Sequence, residues 1–375
     1  MGAFIFPIKI AIILFPVLAI LILLPFLVVQ YHRYGSVIFW RAVVIYTFIF
    51  YLLCAYFLVI LPLPAREEVA KLTTQRFNLV PFMALQEWIK TTVFVPTQPG
   101  TWLASLKQPS FIQPFFNVIL TLPFGVYLRY YFRQPLRKII LWGFVLSLFF
   151  EITQLSGLYG IYPRPYRLFD VDDLILNTTG ALIGGILAPF FVKAFPTRNQ
   201  MDNASYIKSR QVSLLRRLTA YLFDYIITGT VVEILLGLTG NAILAKNTFL
   251  SWVVSTSVVF ILIPILTRGQ TLGKKIVKIR IVKADGELAT RWQLFFRQIL
   301  LFGVGATSLI GANRMIEEVL SKMHQSQGNI VLLIVSLIAA LFVVLNVLWE
   351  IIIRENRFFY DVWAKTTQIS VIKEK

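Results

Sequence analysis

Apolar runs of about 20 residues recur from one end of this chain to the other, and they constrain its fold more than any other feature. Coiled as an α-helix at 1.5 Å per residue, such a run matches the hydrocarbon thickness of a bilayer. Inside hydrocarbon every backbone N–H and C=O must be paired within the protein, so only helices and closed barrels can span it. The runs are continuous rather than alternating, which argues against a barrel. The expected fold class is therefore an all-α polytopic membrane protein with about nine transmembrane helices in two bundles. The spans read as 4–29, 38–61, 113–130, 138–156, 173–193, 217–238, 249–267, 293–313 and 330–353. The eighth differs from the rest. It contains Arg297, and its opening RWQLFFRQIL carries charges at helical spacing, so it also fits a helix lying on the membrane surface. The first run is read as a retained span rather than a cleaved leader. It is long, contains Pro7, Pro16 and Pro25, and shows no small-residue cleavage site.

Charge sets the orientation. Only 14% of residues are charged, yet the net charge is +18. The bases sit in short loops between apolar runs, which is the positive-inside distribution rather than a nucleic-acid face. The expected partners are membrane lipids, anionic headgroups among them, and no nucleic acid. With nine spans, the base-rich segments 30–41, 129–138, 193–217, 268–297 and the C-terminal tail all fall on one side. The N-terminus is then outside the cell membrane and the C-terminus cytoplasmic. The 62–112 loop and the loop Arg164–Asp173 face outward.

The single cysteine, Cys54, excludes an intrachain disulfide, and the two histidines, His32 and His324, exclude an HExxH zinc site. No catalytic residue, cofactor or metal is assigned, and enzymatic activity is not expected. The polar stretch AFPTRNQMDNASYIKSRQV at 194–212 has the composition of a connector. It divides the chain into a first membrane domain (1–196, about five helices), a linker (197–212) and a second membrane domain (213–375, about four helices).

Each half carries charge where charge is costly. In the first, Glu151 and Gln154 share a helix face near the outer end of the fourth span. A loop with Arg164, Arg167, Asp170, Asp172 and Asp173 follows, and Asn177 lies one turn into the fifth span. The arginines can pair bidentately with the carboxylates. Asp172 or Asp173 can cap the helix that follows. Gly180 and Gly184, with Gly185 beside them, form a small-xxx-small pair for close helix packing. The functional reading is an outer-face pocket for a polar or charged group, and the alternative is a structural capping network. A third reading takes the D-x-D-D at 170–173 as a Mg²⁺ site for a lipid diphosphate.

In the second half, Arg217 and Asp224 lie two helical turns apart, about 10 Å along one face. An ionised carboxylate at the depth of Asp224 costs at least about 2.5 kcal/mol. It needs a partner, for which Arg217, Arg268 and Arg297 are candidates. The segment KIRIVKADGELA alternates around Asp285-Gly286 and predicts a small cytoplasmic β-hairpin near 276–290. GQTLGKK, with Gly273 and Lys274, has the wrong spacing for a phosphate loop. After the last span, RENRFFYDVWAKTTQI brings Asp361 to the cytoplasmic boundary.

Four motifs of the first half resemble the VanZ-like family: FNLVPF (77–82), FNVILTLPFGVYL (116–128), LFFEITQL (148–155) and FDVDDLILNTTGALIGG (169–185). The matching polar positions are Asn78, Asn117, Glu151, Gln154, Arg167, Asp170, Asp172, Asp173 and Asn177. The resemblance implies a membrane protein that modulates glycopeptide or lipoglycopeptide (teicoplanin-type) susceptibility at the cell surface. It names a lipoglycopeptide antibiotic or a cell-wall precursor as a partner. The second half is similar to the RDD family, whose arginine and two aspartates map onto Arg217, Asp224 and Asp361. That resemblance implies a transporter or cation/proton exchanger in which Asp224 binds a proton or cation, and the alternative for the same residues is a buried structural network of Arg217, Asp224 and Asp361.

Overall fold

A computed structural model describes residues 2–238, 254–302, 327–353 and 357–372. The expected spans at 249–267 and 293–313 fall partly outside them, at 249–253 and 303–313. The chain divides into two compact units. One comprises Met1–Ile22 and Ile38–Asp202, the other Leu23–Val37 and Asn203–Lys375. Among the described residues, six helices are long and apolar enough to cross a membrane, and two shorter apolar ones accompany them.

In chain order the first unit contains most of α1 (Gly2–Tyr34), then α2 (Phe39–Ile60), α3 (Met83–Thr91), α4 (Pro99–Leu106), α5 (Pro109–Tyr130), α6 (Leu136–Leu155) and α7 (Val171–Phe191). Helices α5 and α7 touch backbone to backbone. A Cβ added at Gly180 would lie 2.1 Å from the Val118 carbonyl oxygen, and one at Gly184 would lie 1.9 Å from that of Leu122. Gly125 on α5 answers them, since its Cβ would sit 1.8 Å from the Ala181 oxygen. The small-residue spacing thus does what it predicts: without side chains between them, two helices approach within van der Waals contact of their main chains. Phe124, Leu128, Ile139 and Ala181 form the core around this contact, with Phe48 and Tyr51 of α2 packed on it. Outward, apolar side chains such as Ile13, Ile20 and Phe190 are exposed, a surface suited to lipid rather than water.

The 62–112 segment, expected as an outer loop, is largely structured. Besides α3 and α4 it supplies β1 (Phe77–Asn78), which runs parallel to β2 (Phe169–Asp170) with Asn78 opposite Asp170. The expected linker also folds, as α8 (Arg198–Ser209), and the division between the units falls inside it. Met201 and Ser205, one turn apart on that helix, are both buried. Arg41 reaches Asp202 at 2.6 Å.

The second unit contains α9 (Leu214–Leu238), α10 (Val254–Leu266), α11 (Leu272–Ile276), β3 (Ile279–Lys283), α12 (Arg291–Ile299), α13 (Gln327–Ile353), α14 (Phe359–Trp363) and β4 (Thr366–Ser370). Helix α9 widens into a π turn at Asp224–Gly229, and α10 does so at Val258–Leu262. The turn at Asp285-Gly286 forms, with the Gly286 N–H donating to the Lys283 carbonyl. Its return arm, however, is a single bridge, Val282 to Leu288. The strand pairs along its length with β4 instead, antiparallel, Ile279 opposite Ser370 and Lys283 opposite Thr366. The cause lies just downstream. Thr290 and Gln293 form a capping box that starts α12, so no residues remain for a longer return strand.

Candidate functional site

Each unit contains a buried polar cluster. In the first, the helix N-termini organise it. Asp170 has extended backbone angles and its side chain accepts the Asp172 N–H at 2.9 Å, so it is Asp170, not Asp172 or Asp173, that caps α7. Asp170 also accepts from Asn78 Nδ2 at 3.0 Å, and its own N–H donates to Glu151 Oε2 at 3.0 Å. Asp172 serves a different helix. Its two oxygens accept the Phe82 and Ala84 N–H groups at 2.5 and 2.8 Å, and so hold the start of α3. Asp173 accepts from Asn117 across the α5–α7 contact.

Deeper in the bundle, Asn177 donates to Ser147 Oγ at 3.0 Å, Ser147 to the Asp173 carbonyl at 3.1 Å, and Thr121 to the Asn177 carbonyl at 2.6 Å. The Asn177 side-chain oxygen has no partner among the described residues. Ser147 and Thr121 were not anticipated from sequence. Both are fully buried hydroxyls in apolar runs, and small polar residues at helix contacts in membranes are the signal that points to them.

The expected bidentate arginine–carboxylate pairs do not form. Arg167 donates to the Val59 and Leu61 carbonyls at 2.7 and 3.0 Å, and Arg164 to that of Thr74. Gln154 shares the Val59 oxygen at 3.1 Å, and the Tyr166 hydroxyl takes the Ile60 oxygen at 2.9 Å. Burial pushes that hydroxyl up to about 12. Helix α2 ends at Ile60, and its last carbonyls have no intrahelical donor, so the guanidinium and phenol complete them. Backbone carbonyls, at the end of α2 for Arg167 and in a loop for Arg164, attracted these arginines more strongly than the carboxylates did.

Beside Asp172 lies a mainly apolar cavity of about 320 Å³, walled by Phe82, Trp88, Phe111, Phe115 and Val118. This end of the bundle therefore offers a cavity for an apolar group next to a carboxylate-rich rim. The three aspartates of the D-x-D-D point to different elements rather than converging on one point. Among the described residues no group of three or more His, Cys, Asp or Glu is placed to hold a metal ion.

The second cluster is ionic. Asp361, fully buried, accepts Arg217 on one oxygen and Arg297 on the other, from Nε at 3.0 Å and Nη2 at 2.9 Å. Aromatic faces cover both guanidinium groups, Phe358 at 5.2 Å from Arg217 and Tyr360 at 4.8 Å from Arg297. Arg217 therefore belongs to Asp361, and Asp224 has other partners, the Thr271 hydroxyl and the Gly273 N–H at 2.7 Å. A Cβ at Gly273 would sit 2.1 Å from the Ala220 carbonyl oxygen, so glycine is what lets α11 close on α9 and reach that carboxylate. The sequence expectation gathered Arg217, Asp224 and Asp361 in one network. The structure places Arg217 and Asp224 in the wall of one cavity of about 180 Å³, with Lys274, Arg297 and Gln298, while Asp361 lies behind the two arginines it pairs with. Burial first, and the Arg297 charge second, push the Lys274 ammonium down to about 8, against the pull of Asp224 and Asp361. Arg216, read in the sequence only as one of the bases of the 193–217 segment, is fully buried and donates to the Ser209, Val277 and Lys278 carbonyls at 3.0, 2.8 and 2.8 Å.

Comparison with known families agrees with this division. Residues 48–192 match the family model described as VanZ/LLP1, and residues 212–365 match that of the RDD family. No curated protein and no solved structure matches the chain.

Proposed function

We propose that this integral membrane protein, VanZ-like over residues 48–192 and RDD-like over 212–365, modulates glycopeptide and lipoglycopeptide (teicoplanin-type) susceptibility at the cell surface through its first half. One observation carries the reading: an apolar cavity and a carboxylate-rich rim meet at the same helix ends, with Asp172 common to both. A lipoglycopeptide joins an acyl tail to a polar peptide head, and a lipid-linked cell-wall precursor has the same two-part chemistry. In this reading the cavity takes the apolar part, and Glu151, Asp170 and Asp173 face the polar part. The base-rich loops belong to the cytoplasmic side, which puts this rim outside. The role is binding rather than catalysis. Cation or proton exchange through Asp224 draws less support, because both oxygens of that carboxylate already accept hydrogen bonds.

The test is teicoplanin and lipoglycopeptide susceptibility in a susceptible Gram-positive host expressing the full chain, Asp173→Ala or the cavity-filling Ala84→Phe, at matched membrane levels. Protection by the wild type that both variants lose is the expected result. Equal susceptibility with and without the wild-type chain would remove the proposal.

A further inference from the structure

The cavity of the second unit is unbalanced in charge. Among the described residues, Arg217, Lys274 and Arg297 stand around it or in its wall, and only Asp224 and Asp361 oppose them. The carboxylates are also used up. Both oxygens of Asp361 accept from the two arginines, and both of Asp224 accept from Thr271 and Gly273. Lys274 is the residue left over. Its side chain is 8% exposed and lines the cavity, yet its ammonium has no hydrogen bond or ion pair with any described residue. A buried ammonium without a partner is costly, and in a cavity it draws in a counter-charge. Gln298, 2% exposed in the same wall, has a side-chain oxygen that accepts from nothing described. Its amide can turn to present two donors to an acceptor in the cavity.

We propose that this cavity binds a small oxyanion, of the phosphate or carboxylate class, on Lys274 and Gln298. The volume of about 180 Å³ holds several waters and hence an anion of that size. The fixed positive charges of Arg217 and Arg297 exclude a metal cation from the same place. This inference concerns the second unit and stands apart from the antibiotic reading of the first.

The site has a pH signature. The titratable and charged groups around Lys274 are Arg217, Tyr221 and Asp224 from α9, Arg297 from α12, and Tyr360 and Asp361 from α14. Burial pushes the Tyr360 hydroxyl up, so it stays neutral. Lys274 is then the group that changes charge near pH 8, and anion affinity falls as pH rises from about 7 to about 9.

The experiment uses the full-length protein in detergent, with thermal unfolding followed against inorganic phosphate at constant ionic strength. Saturable stabilisation of the wild type is expected. Lys274→Gln should weaken it by at least about tenfold, as loss of a charge-assisted bond does. Lys275→Gln, on an exposed neighbour, should leave it unchanged. If Lys274→Gln fails to fold, Gln298→Leu carries the same comparison. Vesicles with and without phosphatidylglycerol separate the sources: competition with phosphate marks a lipid headgroup, and its absence marks a free anion. Either result supports the site. A folded wild type with no saturable phosphate response, or equal weakening by Lys275→Gln, overturns it.

Discussion

The two polar clusters meet the same problem, carboxylates inside a membrane protein, in opposite ways. In the first unit Asp170 and Asp172 accept backbone N–H groups, while Arg164 and Arg167 donate to backbone carbonyls. In the second, Asp361 takes two guanidinium groups directly. The difference follows from where free backbone groups are. The first cluster sits where α2 ends and where α3 and α7 begin, so unpaired donors and acceptors are the nearest partners, and each helix end carries a partial charge of the right sign. Asp361 instead faces the interior of its unit, where α-helical ladders have used their own N–H and C=O groups. Ionic side chains supply its partners there. Asp224 is intermediate: it lies within the long apolar helix α9 but meets the start of α11.

The comparison breaks most completely where it depends on backbone contact. Gly184→Val would drive side-chain atoms into the Leu122 carbonyl of α5, and Gly273→Val into that of Ala220. Both should exceed the about 1–3 kcal/mol typical of overpacking, because main chain cannot yield as side chains do. Loss of monodisperse protein on size exclusion is the expected outcome. Near-normal yield of either variant would mean that the helices separate without cost.

Next comes the ionic centre. Asp361→Ala strands two buried arginines and should destabilise the second unit by about 3–5 kcal/mol, measured as a drop in the unfolding midpoint. Asp172→Ala, its counterpart in the first unit, leaves two N–H groups without their acceptor but removes no ion pair. A loss of about 1–3 kcal/mol is expected, confined to α3 and read as faster amide exchange over Met83–Thr91 while α7 stays protected. Equal losses in the two variants would show that helix ends and ion pairs hold carboxylates alike.

Much of this was legible in the sequence, for reasons that sort by range. The Gly180/Gly184 spacing is local to one helix, and it names a close contact whatever the partner. The apolar runs identify helices because hydrocarbon leaves the backbone no other option. The partners of Arg167 were not legible, and composition and spacing alone did not give that of Arg217. Charge alone made the nearby carboxylates look like the answer for Arg167, whereas the carbonyls it serves are more than a hundred residues away in the chain. Asp361 is 144 residues from Arg217, and the family resemblance placed it in the network. The capping role of Asp172 toward α3 was hidden for the same reason. The α3 segment has helical residues but reads as an outer loop until Asp172 is known to hold its first turn.

The smallest effect tests the sharpest part of the comparison. Arg167→Lys keeps the positive charge near Glu151 and Asp173 but replaces a planar fork by a single ammonium, which cannot reach the Val59 and Leu61 carbonyls together. If Arg167 completes the end of α2, this variant loses about one hydrogen bond at an exposed position, about 0.5–1 kcal/mol. The Gln154 and Tyr166 bonds to the same helix end still stand and limit the loss further. Susceptibility should then match the wild type, and the change should appear only as faster exchange near the end of α2. If the guanidinium instead meets the polar head of a ligand, the order reverses: protection falls while α2 remains as protected as before. That result would move Arg167 out of the scaffold and into the binding rim with Glu151 and Asp173, and the first cluster would then resemble the second in using arginine against an anion.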